Sequence, residues 1–253
     1  MPDSVLIEKI EAGVALLTLN RPQSLNAINR EMARRIREAV RAIEADPEVG
    51  LMIVTGAGGK AFCVGVDLKE RQELSDAQAQ AFRMGELFPM YQEFEDKTKP
   101  SIALVDGHCL GGGFELALAC DLIVATEESA FALPEVKWGL IPAAGGCRKL
   151  PKLIGAARAK EAIFTGKGFT AQQALHLGLI NRALPRESAK EEALILARQI
   201  LCNVQIAVRG AKRSIDQSID AGRTASFDLD VANGCYAAKE RKDGIASFVE
   251  RKK

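Results

Sequence analysis

The amino-acid sequence predicts an α/β fold class, and three observations predict it. Short, nearly all-apolar runs at 14–19, 51–55, 101–105 and 121–125 have the length and composition of buried strands. Between them stand amphipathic stretches at helical spacing; that at 28–45 carries Ile28, Met32, Ile36, Val40 and Ile43 on one face. Beyond Pro185 the β signal stops, and three amphipathic stretches follow at 187–201, 204–221 and 224–239. The expected organisation is an α/β core over 1–185 and a helical region over 186–253.

In chain order, residues 5–10 and 14–19 flank Glu11-Ala12-Gly13 and read as a hairpin. Asn20-Arg21-Pro22 opens a polar turn, and the helix over 28–45 stops at Asp46-Pro47. A buried strand over 51–55 leads through a glycine turn to Phe62-Cys63-Val64-Gly65-Val66-Asp67-Leu68, where a glycine among β-type residues marks backbone that meets a ligand. One polar helix is expected over 76–97, capped by Asp76. After Gly146 helices are expected at 147–154 and 156–164. Thr170 caps a short one ending near Gly178.

Residues 101–146 hold the candidate chemistry. A strand, a turn, the glycines Gly111-Gly112-Gly113 and a buried helix follow one another, then a strand, Glu135 and Pro142-Ala143-Ala144-Gly145-Gly146. A helix start leaves backbone N–H groups without partners, and glycines let a ligand approach them closely. Such a place stabilises an oxygen that becomes negative during reaction. Glu115, read as one to two residues inside the helix, and Glu135 are carboxylates in apolar surroundings. Two such groups in different environments can divide acid and base work. The plainer reading makes the glycines a tight turn and Glu115 a helix N-terminal acid.

Composition narrows the function classes. Lys plus Arg is 34 against 33 Asp plus Glu, so no overall field favours nucleic acid or an anionic membrane. No apolar run has the length of a membrane span, and the N-terminus lacks signal-peptide character, so a cytoplasmic protein is expected. The six scattered cysteines read as reduced core thiols. Neither they nor the two histidines have metal-ligand spacing, and His108 and His176 read as structural. Arg30, Arg34, Arg37 and Arg41 share one helix face. They read as a solvated face interleaved with acids, RNA binding being the alternative.

The chain resembles the crotonase (enoyl-CoA hydratase/isomerase) superfamily. The matching pieces are Asn20-Arg21-Pro22 with Asn26-Ala27, residues 62–68, Gly107 with 111–117, Pro134-Glu135 with 139–142, Leu150-Pro151, Thr165-Gly166, Gly178-Leu179-Ile180 and 244–248. Their order and spacing span residues 5–251. The resemblance implies a spiral of β-β-α turns, a C-terminal helical trimerisation region and a homotrimer or dimer of trimers. It implies an acyl-CoA thioester substrate, with coenzyme A part of the substrate and no separate cofactor. The backbone N–H groups of Val66 and Gly112 would form an oxyanion hole, and Glu115 and Glu135 fall on the acid/base positions of the hydratases. CoA contacts would come from Ser24, Leu25, Val64, Val66, Leu68 and Lys69, and from Phe248 and Arg251 reaching a neighbouring subunit.

What the resemblance implies is therefore reversible hydration of a 2-enoyl-CoA in fatty-acid β-oxidation. Residues 66–71 are similar to the methylglutaconyl-CoA hydratase branch and 131–135 to carnitinyl-CoA dehydratase. Those activities and enoyl-CoA isomerisation are the alternatives. Val64, Val66 and Ala143 depart from commoner alanines and a glycine, which bears on the acyl group more than on the reaction.

Overall fold

The computed structural model describes residues 3–220. Its strands are β1 (Val5–Glu11), β2 (Val14–Leu19), β3 (Leu51–Gly56), β4 (Ala61–Cys63), β5 (Ser101–Val105), β6 (His108–Leu110), β7 (Leu122–Thr126), β8 (Ala130–Ala132), β9 (Phe169–Thr170) and β10 (Arg182–Leu184). Its helices are α1 (Arg30–Ala45), α2 (Leu68–Glu73), α3 (Asp76–Phe82), α4 (Phe88–Glu95), α5 (Gly112–Leu118), α6 (Gly146–Ile154), α7 (Ala156–Thr165), α8 (Ala171–His176), α9 (Arg186–Leu201) and α10 (Gln205–Asp220).

Two sheets form. The larger runs β1-β2-β3-β5-β7-β10 and the smaller β4-β6-β8-β9. All pairings are parallel except the β1–β2 hairpin and β8–β9. Strands β3, β5 and β7 each hand the chain to the small sheet, at β4, β6 and β8, before helical structure follows. This is the expected spiral of β-β-α turns.

The apolar strands are buried on both faces, which is why they read as continuous runs. Met52, Val54, Ala103, Val105, Ile123 and Ala125 face the main core beside Phe62, Phe114 and Phe131. Leu51, Ile53, Ile102, Leu104 and Val124 face the other way, onto Ala189, Ala193, Leu194 and Ala197 of α9. The apolar stripe of α9 was expected to meet partner subunits; the sheet of its own chain covers it instead. Small alanines on that stripe let the helix lie close to the strands.

Three details differ from expectation. The helix over 76–97 is broken by a π-helical turn, Arg83–Leu87, and its cap is Ser75, in a capping box with Gln78, rather than Asp76. Asp67 caps an unforeseen helix, α2. The arginine stripe is largely neutralised by acids, as expected: Arg34 pairs with Glu38 on its own helix, Arg37 and Arg41 converge on Glu93 of α4, and Arg30 lies against the Phe82 ring. The expected helix over 224–239, Phe248 and Arg251 lie outside the described residues.

Candidate active site

The site is built where the small sheet's parallel strands end. β4 runs on into Val64-Gly65-Val66-Asp67, β6 into Gly111-Gly112, and β8 into Pro134-Glu135. These ends, together with Ser24, Leu25, Leu68, Lys69, Glu115 and Tyr91, line one cavity of about 630 Å³. Every candidate site residue within the described region therefore meets in one place.

Two backbone amides aim into it. Val66 forms a parallel bridge with Ile28: the Ile28 N–H donates to the Gly65 carbonyl at 2.8 Å, and the Asp67 N–H donates to the Ile28 carbonyl at 2.9 Å. In a parallel bridge of this kind the central residue turns its own N–H the other way. Gly112 is the first residue of α5, where an N–H has no acceptor within the helix. Neither amide meets a protein acceptor among the described residues.

The glycines are needed for close approach. A Cβ on Gly112 would sit 2.3 Å from the Tyr91 hydroxyl, and one on Gly113 would sit 2.2 Å from the Cys63 carbonyl oxygen. Gly111 adopts φ +53° and brings its Cα face against Glu135, whose Oε1 would lie 3.1 Å from an added Cβ. The Tyr91 hydroxyl donates to the Gly112 carbonyl at 2.8 Å. Burial first, then the charge of Glu115, holds that phenol well above its ordinary pKa, so it stays a neutral donor.

The two carboxylates differ in surroundings. Glu115 is the fourth residue of α5, deeper than expected, and its Oε1 accepts from the Gly146 N–H at 2.9 Å, a donor that stabilises negative charge there. Glu135 lies on a single 3₁₀ turn after β8. The residue is part-exposed as a whole, yet its Oε2 is sealed from solvent without a hydrogen-bond partner among the described residues. Burial pushes its carboxyl up to about 7.

Some readings change. His108, expected to be structural, is exposed and lines the cavity; its side chain shares the strand face of Leu110, two residues nearer the glycines. His176 is exposed on α8. Tyr91, Leu87 and Phe88 were missed as cavity residues. The signal for them is the aromatic spacing in the stretch read as one polar helix over 76–97. Trp138, Ala143 and Ala144 line the cavity as well. Cys63, Cys109 and Cys120 are buried free thiols, while Cys147 is half-buried and Cys202 exposed. Among the described residues no acidic, His or Cys cluster could hold a metal, and no helix is long and apolar enough to cross a membrane.

A model of the family described as enoyl-CoA hydratase/isomerase matches residues 9–253. A crotonyl-CoA hydratase of Syntrophomonas wolfei is 36% identical over 254 residues, covering 99% of this chain and 96% of that protein. A short-chain-enoyl-CoA hydratase of Clostridium acetobutylicum is 34% identical with the same coverage of both chains. The crystal structure of a carnitinyl-CoA hydratase from Mycobacterium avium superposes with a TM-score of 0.87 at 34% identity, over 99% of this chain and 97% of that one.

Proposed function

Because the chain belongs to the enoyl-CoA hydratase/isomerase family, we propose that it adds water reversibly across the 2,3 double bond of a 2-enoyl-CoA. The observation that carries this reading is the unequal pair of carboxylates lining one cavity with two amides free to receive an oxyanion. Hydration needs that division: one group takes a proton while the other gives one.

Glu115, hydrogen-bonded and suited to carry charge, is the base. It takes a proton from water as the water oxygen bonds to Cβ. The π electrons move toward the thioester, and the oxygen of the resulting enolate is held by the Val66 and Gly112 N–H groups. Glu135, carrying the raised pKa, delivers its proton to Cα, and the carbonyl re-forms. The pair resets when the proton on Glu115 returns through water to Glu135. Tyr91 fixes the Gly112 end of the oxyanion hole through the Gly112 carbonyl.

Ser24, Leu25, Val64, Leu68 and Lys69 hold the CoA arm at the cavity mouth, with Phe248 and Arg251 supplied across a subunit boundary. Coenzyme A arrives with the substrate, and the reaction uses no separate cofactor. We assign the region after α9 to a homotrimer or a dimer of trimers. In support, Val204 just before α10, Ile206 in its first turn and Phe164 on α7 expose 70%, 81% and 72% of their surfaces in the single chain. We place the reaction in cytoplasmic fatty-acid β-oxidation.

The test is loss of enoyl-thioester absorbance on mixing the protein with crotonyl-CoA. Fast loss is expected in the wild type, and rates lower by about a hundredfold or more in Glu115→Gln and Glu135→Gln. Binding of acyl-CoA without hydration of crotonyl or branched enoyl thioesters, or full activity in either variant, would overturn the assignment.

A further inference from the structure

We infer that Arg21 is a positioning residue: its guanidinium cross-braces the short bridge that aims the Val66 N–H at the thioester oxygen. The inference rests on the hydratase reading above and concerns how one donor is held in place.

The Val66 amide owes its direction to two peptides of the neighbouring segment. The 27–28 peptide supplies the Ile28 N–H to the Gly65 carbonyl, and the Ile28 carbonyl receives the Asp67 N–H. Arg21 grips both sides of that bridge. One arm donates to the Ala27 carbonyl, which belongs to the same peptide as the Ile28 N–H. The other donates to Asp67 Oδ2 at 2.9 Å. The remaining oxygen of Asp67 accepts from the Lys69 and Glu70 amides and caps α2, so the loop is held on its far side as well.

Arg21 is itself anchored. Its N–H donates to the Asn26 side chain at 2.9 Å, and Asn26 in turn donates to the Ala57 and Ala61 carbonyls, the latter on β4. Asn26 is fully buried, and both it and Leu25 adopt left-handed backbone, a strained arrangement that this network holds. The Arg21–Asp67 pair is largely shielded, with 16% and 12% of the side chains exposed. A planar fork that reaches a carbonyl and a carboxylate at once is a task lysine performs only in part. A small misplacement of an oxyanion donor lowers rate strongly while leaving most binding contacts intact.

The experiment uses the full-length protein and a chromophoric substrate analogue, dimethylaminocinnamoyl-CoA, whose absorbance moves to longer wavelength when its thioester carbonyl is polarised. The variants are Arg21→Met, Arg21→Lys and Asp67→Asn, with Arg35→Met as a control, since Arg35 pairs with Asp3 and Glu38 away from the cavity. Arg21→Met and Asp67→Asn are expected to lose most of the spectral shift. Their kcat should fall about tenfold or more while KM moves less than about threefold. Arg21→Lys should recover part of both.

A full shift and unchanged kcat in Arg21→Met would overturn the inference. If that variant does not fold, a full shift in both Arg21→Lys and Asp67→Asn overturns it equally. So does a loss of activity that only tracks the folded fraction. A wild type that binds the analogue with neither shift nor hydration would instead refute the hydratase reading itself.

Discussion

Replacing Glu135 by glutamine should stabilise the protein, and by an amount that depends on pH. The Glu135 carboxyl is pushed from 4.5 to about 7 by burial. Below pH 4.5 the carboxyl is neutral in both folded and unfolded chains and contributes no pH-dependent term. As pH rises from 4.5 to 7 the unfolded chain releases the proton while the folded one keeps it, so wild-type stability falls. Above pH 7 both are ionised and the loss is complete. A difference of about 2.5 units at 1.36 kcal/mol each amounts to about 3 kcal/mol. Glutamine has the same shape and no charge, so the variant escapes that loss. Urea unfolding of both proteins at fixed protein concentration, every half unit from pH 4 to 8, should show the variant's advantage growing by about 3 kcal/mol and levelling off above pH 7. A stability difference independent of pH would refute the claim that burial holds this carboxyl neutral.

The same protonation state predicts the pH–rate profile. Hydration kcat/KM should fall as pH rises through about 7, because Glu135 must carry the proton, approaching tenfold per unit; dehydration should rise through the same value. Gly113→Ala would place a methyl 2.2 Å from the Cys63 carbonyl oxygen and 2.5 Å from its carbonyl carbon, backbone atoms that cannot swing aside. It should therefore cost about 3 kcal/mol in urea unfolding. Gly85→Ala, which meets nothing within 4 Å, should be neutral or stabilising by up to about 1 kcal/mol.

The strands and the site were legible in the sequence for different reasons. Runs such as 51–55 and 101–105 announce themselves because both sheet faces are buried. Three consecutive glycines between a strand and a helix announce close backbone approach, and the structure bears this out: an added Cβ would crowd Glu135 at Gly111, Tyr91 at Gly112 and the Cys63 backbone at Gly113. The break at Arg83–Leu87 was not legible: a π-helical turn leaves the helical spacing nearly intact and has no residue signature comparable to proline. Without it the apolar spacing of Leu87, Phe88 and Tyr91 could not be assigned to the cavity. The fate of the α9 stripe was equally hidden, since an alanine-rich face fits a partner helix or an underlying sheet, and only the tertiary fold decides.

The arrangement also explains which parts of the chain can change the substrate without changing the reaction. The parallel pairing sets Ala61 beside His108 and His108 beside Ala130. Three strand ends far apart in sequence thus finish side by side, as active sites at the carboxyl edges of parallel sheets do. The Val66 amide, the Gly112 amide and Glu135 come directly from those ends, so their spacing is set by strand separation and is insensitive to what is inserted between them. Another part of the cavity lining comes from elsewhere: Leu87, Phe88 and Tyr91 from the helical insertion between β4 and β5, and Trp138, Ala143 and Ala144 from the loop after β8. Substitutions in those two segments can reshape the cavity by a few methyl groups while the donor geometry stays put. Tyr91 is the exception, because its hydroxyl also holds the Gly112 carbonyl. Loss of that hydroxyl in Tyr91→Phe should therefore lower kcat, whereas trimming Leu87 or Phe88 should act on KM and on the preferred acyl group.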